Sequence, residues 1–178
     1  MVNVYLAQGF EEVEAISVID MLRRADIDVN TVSVDGEFVT GAHNITVKAD
    51  MLIGKEPSCE MIFLPGGMPG VTNLYDCKAL KEILIRHNSD NKMIAAICAA
   101  PMILGRLGIV DGKKAVCYPG FEDELKGAEV LFDNVCVDSN VITSRGAGTA
   151  LELSYELIKI LKSQEKAHDI KKGIVDNR

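Results

Sequence analysis

Met93-Ile94-Ala95-Ala96-Ile97-Cys98-Ala99-Ala100-Pro101 reads as a strand that runs without a break into a helix. Its first five residues are apolar in unbroken series, the pattern of a strand covered on both faces. Pro101 suits the first turn of a helix, where a missing N–H costs nothing. Cys98 therefore falls on the bend, and Ala96, Ala99 and Ala100 are small enough to let the chain turn sharply there. The same unit of short apolar run, Gly or Pro turn and helical stretch recurs along the chain. It predicts parallel strands joined by crossover helices.

Working outward, strands are expected at 3–7, 29–34, 61–64, 93–97, 114–117 and 141–144, and helices at 11–25, 77–88, 99–107 and 149–162. Thr149 and Glu152 have the spacing of a capping box. Residues 38–47 and 130–137 read as short antiparallel additions, with Asp35-Gly36 and Asp133-Asn134 as turns. The 178 residues suit one domain spanning 1–178, and 48% hydrophobic with 25% charged residues is an ordinary globular balance. A net charge of −7 with no cluster of Lys or Arg argues against nucleic acid and anionic membrane as partners. The apolar run at 2–7 is too short for a signal peptide or a membrane span, so the protein is expected in the cytoplasm. Five widely spaced cysteines, without a Cys-x-x-Cys pair or a His at zinc spacing, predict free thiols and no metal.

Cys98 is the residue with the most chemistry. A tight strand-to-helix turn lifts one side chain above the sheet and aims backbone amides at the same spot, as in the nucleophile elbow of hydrolases. The helix N-terminus is expected to favour the thiolate and lower its pKa. Glu14 falls on the apolar stripe of the first helix with Ala15, Val18 and Leu22, where burial would raise its pKa and poise it to carry a proton. Glu11 points almost the same way, and spacing alone does not choose between them. Pro65-Gly66-Gly67-Met68-Pro69-Gly70 follows a strand and can bring amides close to a ligand, although it lacks the pattern of a dinucleotide loop. Ser144-Arg145-Gly146-Ala147-Gly148 is a second such loop, where Arg145 could bind an anion or brace a subunit contact. Of the three histidines, His87 and His168 read as solvated, and His43 sits in a turn with no evident task.

Gly9-Phe10-Glu11-Glu12-Val13-Glu14, Leu64-Pro65-Gly66-Gly67, the Cys98 segment and Thr143-Ser144-Arg145-Gly146-Ala147-Gly148-Thr149 together resemble the ThiJ/PfpI superfamily, and more narrowly its DJ-1 branch. The resemblance spans nearly the whole chain. It implies an α/β fold with a flavodoxin-like, mostly parallel sheet sandwiched by helices, of the class I glutamine amidotransferase-like type, and a homodimer. It selects Glu14 as the acid that hydrogen-bonds Cys98, and matches Gly66, Gly67 and the amide of Ala99 to an oxyanion pocket. It implies no cofactor, and activity on reactive 2-oxoaldehydes or their protein adducts, with redox sensing through Cys98 or a chaperone role as the alternative. His43 falls where relatives carry an arginine that approaches the neighbouring subunit's site. Two positions depart from the pattern. Tyr118 stands where several members carry a histidine, and Ala99 stands where the protease-like branch has one, so proteolysis is not expected.

Overall fold

The computed structural model describes residues 1–177. β1 (Val2–Leu6) leads through α1 (Glu12–Arg24) to β2 (Val29–Ser33). β3 (Phe38–Thr40) and β4 (Thr46–Lys48) pair as the expected antiparallel addition, and β5 (Met51–Leu52) and β6 (Met61–Leu64) follow. α2 (Gly70–Asp76) and α3 (Lys78–Ser89) precede β7 (Met93–Ile97), which bends at Cys98 into α4 (Pro101–Arg106). The remainder holds β8 (Lys114–Ala115), β9 (Glu129–Val130), β10 (Val135–Asp138), β11 (Val141–Ser144), α5 (Ala150–Leu161) and α6 (Gln164–Gly173).

The central sheet runs β10-β11-β7-β6-β1-β2-β5, parallel throughout except for β10 at its edge. The period of two sorts its side chains into two cores. Val4, Leu6, Phe63, Ala95 and Ile97 pack with Val18 and Leu22 of α1 and with Leu153 and Leu157 of α5. Tyr5, Ile62, Leu64, Ile94 and Ala96 face the other way, against Leu80 and Leu84 of α3 and Ile103 of α4. Apolar runs without alternation are therefore what these positions require, because neither face of the sheet meets water.

Several expectations change. Residues 114–117 do not join the central sheet; only Lys114–Ala115 is a strand, and it pairs in parallel with β9 in a separate ribbon. Beyond it the Val116 N–H is taken by Thr143 Oγ1 at 2.9 Å and the Tyr118 N–H by the Cys98 carbonyl at 2.8 Å, which bends the chain toward the elbow. Residues 130–137 do not form a hairpin, because β9 pairs with β8 while β10 pairs with β11. The capping box is not made. Thr149 Oγ1 instead accepts the Gly146 N–H and meets Ser144 Oγ, while Glu152 receives Asn134. His87 is buried rather than solvated, with its Nε2 donating to the Met93 carbonyl at 3.1 Å. α2 and α6 were not expected from the sequence. α6 opens on a Ser163 side chain that accepts the Lys166 N–H, and it buries only Ala167, too little to leave an apolar stripe. Among the described residues, no helix is long and apolar enough to cross a membrane.

Candidate active site at the bend after β7

Parallel strands place the loops that follow β1, β6, β7 and β11 on one edge of the sheet, where open α/β sheets bind ligands. Cys98 sits there with φ +65°, in the left-handed region that non-glycine residues rarely adopt. Both of its backbone groups are tied: its N–H donates to the Ser144 carbonyl at 2.9 Å and its carbonyl accepts from Tyr118. Those bonds, from β11 and from the turn after β8, hold a conformation that costs on the order of 1–3 kcal/mol by itself. The expected elbow is present, and the strain sits in the backbone of Cys98.

Glu14 comes from the first turn of α1 and is 1% exposed. Its Oε2 accepts the Gly66 N–H at 2.8 Å, and its carboxyl group is hydrogen-bonded to the Cys98 side chain. The Gly66 carbonyl in turn accepts the Glu11 N–H at 2.9 Å, so one residue of the loop after β6 holds the start of α1 through both of its backbone groups. Glu11 itself bonds neither the thiol nor Gly66 through its carboxylate, and acts on Glu14 only as a nearby charge. The amides of Ala99 and Gly67 are both directed at the Cys98 sulfur. Gly67 has φ +91°. A side chain there would run into the backbone of Gly9 and Phe10.

Burial pushes Glu14 up to about 7, against the pull of the Gly66 N–H and the Cys98 hydrogen bond. Burial, then the charge and hydrogen bond of Glu14, push the Cys98 thiol up to about 12. This reverses the expected lowering of the thiol pKa. α4 begins only at Pro101 and is six residues long, so its dipole is no match for desolvation beside a carboxylate. The two groups are coupled: Glu14 ionises first, and its charge and hydrogen bond hold the proton on the Cys98 sulfur. A raised pKa is not peculiar to Cys98, since burial also raises Cys59, Cys117 and Cys136. What is specific to Cys98 is the partner.

Gly66 is the tightest constraint on that partnership. A Cβ at this position would lie 2.5 Å from Glu14 Oε2, 2.6 Å from Cys98 Cβ and 3.1 Å from Cys98 Sγ. Gly66→Ala is therefore expected to wedge the acid and the thiol apart. Misplacement of reacting groups by about 1 Å costs roughly 100-fold in rate. Unchanged far-UV circular dichroism with a loss of that order in Cys98-dependent turnover would check it.

The remaining candidates lie elsewhere. Arg145 turns to Phe132, donating to its carbonyl at 3.3 Å and covering its ring at 5.7 Å. Tyr118 is half exposed and lies beside Gly146, so the position of the family histidine is filled by a phenol at the rim. His43 is held by its own chain, its Nδ1 3.1 Å from Glu12 Oε2 and 3.6 Å from Glu11 Oε1. Sequence reading missed the groups that hold the elbow, Ser144 O and Tyr118 N. They act through the backbone, and backbone groups leave no signature in side-chain identity.

A thiol on a strained strand-to-helix bend, facing a buried acid across a glycine, defines a class of α/β proteins built around a cysteine elbow. The chain belongs within it to the DJ-1/PfpI family, whose model matches residues 1–160. It is 38% identical over 175 residues to protein DJ-1 homolog B of Arabidopsis thaliana, covering 96% of this chain and 40% of the relative. The chain thus spans less than half the length of that plant protein. Its structure matches that of oxidized Toxoplasma gondii DJ-1 with a TM-score of 0.95 and 39% identity, over 99% of this chain and 98% of the other. A Caenorhabditis elegans relative named glutathione-independent glyoxalase DJR-1.2 is 32% identical over 168 residues, 92% of this chain and 89% of its own.

Proposed function

We propose that the protein is a cofactor-independent enzyme of glyoxalase or deglycase type, acting on 2-oxoaldehydes or on their adducts with proteins. The observation that carries this reading is the hydrogen bond between Cys98 and a buried Glu14 whose pKa is raised to about 7. An acid near neutrality is suited to taking and returning protons at working pH. The Glu14 carboxylate takes the Cys98 proton as sulfur attacks the aldehyde carbon, and returns it to the alkoxide oxygen, giving a hemithioacetal. Amides of Gly67 and Ala99 gather where negative charge builds. Glu14 then removes the proton from the former aldehyde carbon, giving an enediol as the hemithioacetal hydroxyl proton passes to the ketone oxygen, and delivers the carbon-bound proton to the adjacent carbon. The first carbon is oxidised, the second is reduced, and the product is a thioester of a 2-hydroxy acid. Water hydrolyses it and frees Cys98, with no external oxidant or reductant. The name of the Caenorhabditis elegans relative supports this chemistry.

Purified protein given methylglyoxal without glutathione should form lactate. The rate should rise through an acidic limb near pH 7, as Glu14 loses its proton. Absence of lactate, or a flat profile between pH 6 and about 8, would remove the reading.

A second reading draws on the oxidized state named for the Toxoplasma structure. Two equivalents of peroxide would convert the Cys98 thiol to a sulfinic acid with release of two waters, and a protonated Glu14 would donate to it. Selective dioxidation of Cys98 by mild peroxide, without turnover of methylglyoxal, favours this sensor over the enzyme.

The homodimer belongs to the same proposal. Val13 and Ile16 leave 52% and 41% of their surface exposed on the outer face of α1, an apolar area suited to a second copy. Light scattering should give twice the chain mass at micromolar concentration, and a monomer would contradict it. All five cysteines are free, which fits a reducing compartment such as the cytoplasm.

A further inference from the structure

We infer that the cavity between the C-terminal end of α3 and the loop that leads into β6 is a second binding site, one that takes a small aliphatic α-amino acid. The cavity encloses about 310 Å³. Sites for small molecules begin at roughly that size. Asn3 of β1, Ile62 of β6 and Lys92 just before β7 line it, which places it at the N-terminal ends of the parallel strands. Cys98 lies at the opposite edge of the sheet, and α1 takes no part in the cavity.

The inner wall is buried and carries no free charge. The Tyr5 hydroxyl donates to Glu56 Oε1 at 3.0 Å, and the Gly54 N–H donates to Glu56 Oε2 at 2.6 Å, so each oxygen of that carboxylate already holds a donor. Asn3 donates to the Pro57 carbonyl at 2.9 Å and pins the loop to the sheet. Burial holds the His87 imidazole below its usual pKa and the Cys59 thiol above its own, so both are neutral at pH 7. With these polar groups satisfied or uncharged, and with Ile62 and Ile83 between them, the floor suits a hydrocarbon group.

The rim is different. Arg86 and Asp90 stand one helical turn apart at the end of α3, a spacing at which opposite charges can pair. Among the described residues they do not. Neither side chain has an ion pair or a hydrogen bond, and the Lys92 ammonium meets only the Ser58 hydroxyl, at 3.1 Å. The three charges nonetheless act into the cavity: that of Arg86 is felt at the Tyr5 hydroxyl, and those of Lys92 and Asp90 at the His87 ring. Two cations and one anion without charged partners, above an apolar floor, complement a zwitterion. Its carboxylate meets Arg86 and Lys92, its ammonium meets Asp90, and its side chain turns inward to Ile62 and Ile83. A simple anion would set its charge against Asp90, and a simple amine would set its charge against two cations.

NMR titration of the ¹⁵N-labelled chain with L-leucine reads the site residue by residue. Saturable shifts are expected at the amides of Tyr5, Ile62 and His87, and none at Cys98 or Gly66. The rim charges stay in contact with water, so a dissociation constant of about 1 mM is expected. 4-Methylpentanoate, which lacks the ammonium, and 3-methylbutylamine, which lacks the carboxylate, should each bind about fivefold more weakly or worse. Leucine should lose about as much on Arg86→Gln and on Asp90→Asn. Both positions are exposed, and the spectrum of each variant reports its fold directly. The inference is overturned if leucine gives no saturable shift up to about 20 mM, if either single-charge analogue binds as tightly as leucine, if either variant keeps the wild-type affinity, or if the shifts centre on Cys98.

Discussion

Cys98→Ala is expected to lower lactate formation from methylglyoxal by about 1,000-fold or more, to the level of a heated control, because no other group forms the covalent bond to the aldehyde carbon. The other cysteines do not substitute. Cys117 is buried and pushed up to about 11 by desolvation and the charge of Glu122. Cys59 and Cys136 are buried as well. The substitution itself should be gentle on the fold, since the φ of +65° is held by the Ser144 and Tyr118 backbone bonds and not by the sulfur. A variant that folds normally and retains a tenth or more of the wild-type rate, roughly the effect of one weak contact, would be inconsistent with a covalent role.

Glu14→Gln separates reactivity from turnover. Removing the proton carrier should lower kcat by about 100- to 10,000-fold, the usual contribution of general acid-base catalysis. Alkylation of Cys98 by iodoacetamide near neutral pH should nevertheless become faster, because two of the influences that raise the thiol, the Glu14 charge and its hydrogen bond, are gone. A merely structural role for Glu14 would slow both. Stability gives an independent check. The folded pKa is raised from 4.5 to about 7, so the folded state favours the protonated form, and stability is lost as pH rises between those values. The cost above pH 7 is about 3 kcal/mol. Glutamine avoids it, so the variant should melt several degrees above wild type at pH 8 and near it at pH 4. An equal melting temperature at both pH values would count against a buried carboxylate whose pKa is raised.

The fold was legible where burial is continuous. β6 and β7 announce themselves as apolar runs because both faces of the central sheet are covered, and α1 and α5 because each lays one broad stripe on that sheet. Reading failed where an element is short or bound through its backbone. Val116 and Cys117 look like strand continuations, but the Val116 N–H goes to Thr143 Oγ1, and the Tyr118 N–H just beyond goes to the elbow carbonyl. α6 exposes most of its surface, and a single buried Ala167 gives no periodic signal. At the site, the small residues around Cys98 revealed the bend, since only a sharp turn explains them. The direction of the thiol pKa did not follow from position alone. It depends on desolvation and on the distance to Glu14, which belong to the fold and not to the spacing. The contact of His43 with Glu12 was equally hidden, because the two lie 31 positions apart in the chain.

The account turns on Cys98 as a covalent nucleophile served by Glu14. The most direct test is an acid quench of wild-type protein during turnover of methylglyoxal, followed by peptide mass mapping. The account predicts a lactoyl thioester on the Cys98 peptide alone, present during turnover, gone when substrate is exhausted, and accumulating differently in Glu14→Gln. Turnover with no adduct on Cys98, or with an adduct on another residue, would contradict it.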